Sequence, residues 1–311
     1  MDAQLAADAA EINPLATGGL ICDTAAMNLI PERANRPRLI AGLAVAGVLG
    51  LSVHVIMLQV LHIPFPQDDP PYWARLLNIA GMAIAVLIFL DLARPALEGR
   101  SFVARWLILA ALLAMLRETV RGAAMAGVVT TAWTFSLAQM LVPILLWLAI
   151  GLLCTAAAPW LRSLWSKVLG GLVIAAAALW LSPAIGAALS PLFEALAPLA
   201  HPDVYELPYP WQVMIPAYLT YAEPVIACAL IARLVWDRLP APPAQRLALF
   251  VALILFMDTM VLRTFLFSFF SGGPLGAAML SESQFMLEVL VLAALTGLTW
   301  AWSHRGARSA A

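Results

Sequence analysis

Charge is what this sequence has least of. Asp, Glu, Lys and Arg make up 11% of its 311 residues, less than half the roughly 25% of a soluble domain, while 63% are hydrophobic and the mean hydropathy is +0.91. A scarcity of that size excludes an ordinary water-facing surface. Cysteine is nearly absent too: Cys22, Cys154 and Cys228 lie far apart with no CxxC spacing, which excludes a disulfide framework and a thiolate zinc site. No GxxxxGK[ST], HExxH or GxSxG occurs, so nothing supports nucleotide-driven transport, a zincin or a serine hydrolase. The acidic doublet Asp68-Asp69 has no spaced partner for magnesium-dependent chemistry. No basic domain stands outside the apolar runs, so nucleic acid is not an expected partner, and no metal or cofactor is expected. Residues 1–37 carry Asp2, Asp8, Glu11, Asp23 and Glu32 ahead of any long apolar run, the reverse of a signal peptide's basic start. This segment reads as a flexible cytoplasmic tail that could meet a cytoplasmic partner.

What is there is a series of Leu/Ala/Val runs about twenty residues long, the length at which a helix crosses a bilayer with its backbone hydrogen bonds satisfied internally. The fold class expected is all-α, a polytopic membrane protein. Hydropathy windows predict eight transmembrane helices, near 39–61, 74–93, 103–126, 132–154, 168–188, 212–235, 247–270 and 283–303. The connections separate basic residues by side. Arg33, Arg36, Arg38, Arg94, Arg100, Arg105, Arg162, Lys167, Arg233, Arg238, Arg246, Arg305 and Arg308 fall on one side, and only Arg75 on the other. The positive-inside rule then puts both termini in the cytoplasm of a plasma (inner) membrane. Tyr72, Trp73, Tyr205, Tyr209 and Trp211 mark the outer interface.

The chain also resembles itself. RLIAGLAVA (38–46) lies over KVLGGLVIA (167–175), HIPFPQDDPPYW (62–73) over HPDVYELPYPW (201–211), and LDLAR (90–94) over LIAR (230–233). RWLILAAL (105–112) then meets RLALFVAL (246–253), and SLAQ (136–139) meets SESQ (281–284). Each match is weak, but all occur in one order with gaps mostly in loops. A tandem duplication of a four-helix unit (4+4) is expected, with residues 38–155 and 167–303 as the repeats, 156–166 as a cytoplasmic linker and 304–311 as a C-terminal tail. Parallel repeats of this kind place binding sites between the halves.

Ionisable residues inside spans are costly, so they are the functional candidates. Arg117, Glu118 and Arg121 interrupt the third span, Glu223 lies in the sixth, Asp258 and Arg263 in the seventh and Glu288 in the eighth. His54, Gln59, Asn78, Ser136, Gln139, Tyr218, Thr220 and Tyr221 also lie in the central or outer parts of their helices. If these faces converge, they enclose a polar cavity open to the outside. Arg117 and Arg121 are four apart and project from one helix face. Paired guanidiniums suit a phosphate or carboxylate, so an anionic small molecule or lipid head group is the expected ligand. The competing reading is a set of interhelical ion pairs that fix packing. His62 and His201, paired by the repeat and close to acids in the outer loops, are candidates for a proton-linked or metal site, although a solvated loop histidine is the commoner case. Pro143, Pro183, Pro224 and Gly170-Gly171 are expected to interrupt helices.

The reading favoured is a transporter, or a solute- or lipid-binding protein, whose site draws on Arg117, Glu118, Arg121, Gln139, Tyr221, Glu223, Asp258, Arg263 and Glu288. One alternative is an enzyme acting on an outer-leaflet lipid, with Glu118 or Asp258 as general base. Another is a non-catalytic subunit or sensor.

Overall fold

A computed structural model of the chain describes residues 34–130, 132–201 and 204–304. The N-terminal tail's acids, Cys22, Arg33, Asp203, Arg305 and Arg308 lie outside the described residues. The fold is all-helical. Twelve α-helices are described: α1 (Arg36–Val55), α2 (Tyr72–Leu97), α3 (Phe102–Leu116), α4 (Thr119–Thr130), α5 (Trp133–Gln139), α6 (Leu141–Ala157), α7 (Leu164–Leu196), α8 (Trp211–Thr220), α9 (Ala222–Val235), α10 (Pro243–Met257), α11 (Met260–Phe267) and α12 (Leu275–Ser303).

Six helical stretches are long and apolar enough to span a bilayer, and a bent pair, 243–257 with 260–270, makes a seventh if counted as one span. The protein is therefore a multi-pass membrane protein. Its outward faces agree: Ile40, Val45 and Val48 of α1 and Leu169, Val173 and Trp180 of α7 are exposed. Such a surface would associate in water but is matched to lipid tails. Trp160 and Trp165 at the α6–α7 connection, like Trp73 and Trp211 at the starts of α2 and α8, are exposed and suit the headgroup level.

The third span departs from expectation. Instead of one helix over 103–126, α3 stops at Leu116 after 15 residues and α4 begins at Thr119. The seventh breaks in the same way, with α10 stopping at Met257 after 15 residues and the chain turning by 63° into α11. Two further breaks have a local cause. In a continuous helix the ring of Pro143 would clash with the carbonyl four residues back, on Gln139, where α5 ends; Pro224 would do the same at Thr220, where α8 ends.

Other expected interruptions are absent. Pro183 lies inside α7, which runs unbroken over 33 residues. Gly170-Gly171 is also helical there, and Gly171 is a packing device: a Cβ on it would lie 2.7 Å from Ile84 Cγ1 and 3.2 Å from the Ala80 carbonyl of α2. Small residues at such crossings let backbones approach where no hydrophobic effect drives helices together.

α1 packs along α12, α7 along α2 and α6, α3 along α6 and α9, and α10 along α12 and α2. The long connections cross over. The 61–71 connection reaches the end of α11, where the Asp69 N–H donates to Phe270 O (3.2 Å), and the 200–210 connection reaches α4, where Val204 N–H donates to Val129 O (2.8 Å).

Candidate functional site

The centre of the bundle is built where α3–α4 and α10–α11 break. At the first break Glu118 holds a left-handed backbone (φ 51), and at the second Thr259 does so (φ 66). This conformation costs a non-glycine residue roughly 1–2 kcal/mol, so tertiary contacts must hold it. Those contacts are visible. Arg117 Nη1 donates to the Asp258 backbone carbonyl, to Asp258 Oδ1 (2.8 Å) and to Thr259 Oγ1 (2.9 Å), so one guanidinium closes the end of α10 and pairs with its acid. Across the other gap Glu223, in the first turn of α9, accepts from the backbone N–H of Val120 (Oε1, 3.0 Å) and of Arg121 (Oε2, 2.5 Å). A carboxylate thus sits on the orphan donors and positive dipole end of α4.

Arg121 turns back onto Glu118 and lies 5.1 Å from the centroid of Tyr221, which is almost wholly buried. Glu288 of α12, also buried, is within electrostatic reach of Glu118, Arg121 and Tyr221. His54 Nδ1 is 3.7 Å from Glu288 Oε2, and its ring packs on Phe65 and Phe285. Phe285 also lies under Arg263 at 5.8 Å, which connects this cluster to a second one. There Arg263 Nε donates to Glu282 Oε2 at 3.0 Å, with Asp68 of the loop 3.7 Å away.

Two cavities flank Arg117 and Glu118. One of about 130 Å³ is walled by Asp258, Phe285 and Glu288; the other, about 330 Å³, lies among α4, α5 and α6 and reaches Gln139 and Trp147. The Nε atoms of Arg117 and Arg121 are buried with no hydrogen-bond partner among the described residues.

Of the residues expected at the site, Arg117, Glu118, Arg121, Tyr221, Glu223, Asp258 and Glu288 come together. Arg263 belongs to the adjoining cluster, and Gln139 reaches only the rim of the larger cavity. His62 and His201 are exposed, outside the central cluster. Glu282 joins the site without a mark in the sequence. The hydropathy window began at 283, whereas α12 starts eight residues earlier at Leu275 and carries Glu282 inward to 2% exposure. Each of Arg117, Arg121 and Arg263 faces a carboxylate, as the reading of interhelical ion pairs requires, while the Nε atoms of Arg117 and Arg121 keep a donor unused. Comparison with protein-family models, with curated proteins and with solved structures returns no match for this chain.

Proposed function

We propose that this is a secondary membrane transporter for an anionic solute, with its site at the two facing helix breaks. The observation that carries the reading is the contact between the breaks themselves. Arg117 and Asp258 are 141 residues apart, the spacing at which RWLILAAL lies over RLALFVAL. At that spacing α3 and α10 have the same length and the same ends, Glu118 and Thr259 share the left-handed turn, and the Val129 and Phe270 carbonyls receive the crossing loops. This supports a 4+4 duplication with eight crossings, α3–α4 and α10–α11 counting as one each, and a pseudo-twofold axis near the Arg117–Asp258 contact. Discontinuous helices meeting at a repeat interface are the usual construction of a transporter's binding site. The charge asymmetry of the connections supports cytoplasmic termini and a cavity that faces outward.

Six carboxylates, Asp68, Glu118, Glu223, Asp258, Glu282 and Glu288, surround three arginines here. An anion entering beside Arg117 and Arg121 would take their free Nε donors and displace a carboxylate. A carboxylate released in a low-dielectric interior is neutralised by a proton. One anion and one proton then cross together, and the site's net charge is unchanged.

Proteoliposomes holding the purified protein test this. With panels of small carboxylates and phosphates, uptake should rise when the outer pH is lowered, carry protons inward, and vanish in folded Arg121→Gln and Glu288→Gln variants. Uptake indifferent to both substitutions contradicts the proposal. The complete pairing of the arginines favours one rival reading, a purely structural ion network. That reading predicts that exchanging the charges, Arg117→Asp with Asp258→Arg, restores every property of the protein, whereas a transport site regains stability without uptake.

A further inference from the structure

A second basic site lies at the opposite end of α3. Arg105, in its first turn, is about 18 Å along the helix from Arg117 at 1.5 Å per residue. It borders a cavity of about 420 Å³ between the α2–α3 and α6–α7 connections, into which Arg94, Arg100 and Arg162 also project. Two acids line it. Asp91 is engaged, by Lys167 Nζ at 2.7 Å and Arg94 Nη2 at 3.1 Å, and Glu98 is exposed. Arg100, Arg105 and Arg162 form no ion pair with any described residue. Inside the cavity Arg105 Nε and Thr155 Oγ1 are buried without a hydrogen-bond partner among the described residues, and Thr155 is only 6% exposed. Two orphaned polar groups in one basic cavity are a costly arrangement unless something occupies it.

The other half of the chain shows the occupied version. Arg246 aligns with Arg105, yet its Nε donates to Pro240 O at 2.9 Å and its guanidinium lies over the Trp236 ring at 5.9 Å. Trp236 is buried edge-on against Phe250. Its counterpart three residues past the aligned Arg94 is Leu97, which leaves the space open as part of the cavity wall.

We infer that this cavity binds a phosphoryl anion, gripped by Arg100, Arg105 and Arg162 with the Thr155 hydroxyl as a further donor. Guanidinium forks match phosphate geometry, and the site has donors to spare. The phosphoryl group can come from a phospholipid head group in the leaflet, where exposed Trp160 and Trp165 flank Arg162, or from a soluble phosphate compound. The inference does not depend on transport at the central site.

Two arms of one experiment separate the sources. In the first, the full chain in mixed phosphatidylglycerol/phosphatidylcholine nanodiscs is released into native mass spectrometry and retained lipid is counted. In the second, inorganic phosphate and pyrophosphate are titrated against the detergent-solubilised protein, with its unfolding temperature as readout. Preferential retention of phosphatidylglycerol assigns the site to lipid; a phosphate-dependent rise in unfolding temperature assigns it to a soluble anion. The affinity behind either signal should fall about tenfold in Arg105→Gln or Arg100→Gln, the loss of one charge-assisted contact. It should persist in Arg246→Gln and be abolished by Leu97→Trp, which gives this half the other's plug. Arg100 is not buried, so its variant preserves the test if the buried changes impair folding. Neither ligand binding above the Arg100→Gln protein, or unchanged binding in the folded arginine variants, overturns the inference.

Discussion

The two central breaks share a backbone path and differ in chemistry. α3–α4 turns through Arg117 and Glu118, α10–α11 through Asp258 and Thr259, with a left-handed residue second in each pair. The first break has a carboxylate from a neighbouring helix on its exposed N–H groups; α11 begins with no side-chain cap. Positions that meet near a twofold axis face their own counterparts. Under the proposed duplication, identical charges at these counterpart positions would repel, and Arg on one side with Asp on the other makes the contact an ion pair. The difference between the breaks is thus what joins them.

The most damaging way to remove that difference is Asp258→Arg, which sets two guanidiniums against each other where an acid and a base now pair. It should cost more than Arg117→Ala, itself expected to lose about 3–5 kcal/mol by stranding a buried acid. Thermal unfolding in detergent ranks the two. A smaller loss, about 1–2 kcal/mol, is expected of Glu223→Gln, which weakens the cap on α4. Amide exchange should accelerate at Val120 and Arg121 but not at Arg263, whose N–H bonds to Thr259 O in the other break. Equal acceleration at both would mean that Glu223 does not distinguish them. The mildest change is Thr259→Gly. It relieves the left-handed strain but removes the hydroxyl that Arg117 contacts, two effects of about 1 kcal/mol and opposite sign, so stability should stay within about 1 kcal/mol of wild type.

Much of this was legible in the sequence. Leu/Ala/Val runs located the spanning helices because length and apolarity are what a bilayer requires, and stray charges within those runs marked the central cluster because isolated charges are rare there. Pro143 and Pro224 marked two breaks through a clash that is local. The breaks at Arg117 and Asp258 left no such mark. LRETVR contains neither proline nor glycine, and every residue in it tolerates a helix; the partners that hold the break, Glu223 on the freed amides and Asp258 and Thr259 on Arg117, lie more than a hundred residues downstream. Gly170-Gly171 misled for the reverse reason, since glycine that loosens an isolated helix also lets Gly171 fit against α2. Glu282 was hidden by its neighbours: Ser281 and Ser283 lower the local hydropathy and put the edge of the span past it.

A double-mutant cycle on Arg117→Ala and Asp258→Ala, followed by reversible unfolding of the detergent-solubilised protein, reads the contact between the breaks directly. The structure predicts a coupling energy of about 2 kcal/mol or more. Losses that simply add, within about 0.5 kcal/mol, would mean that the two breaks do not meet and that no central site is built there.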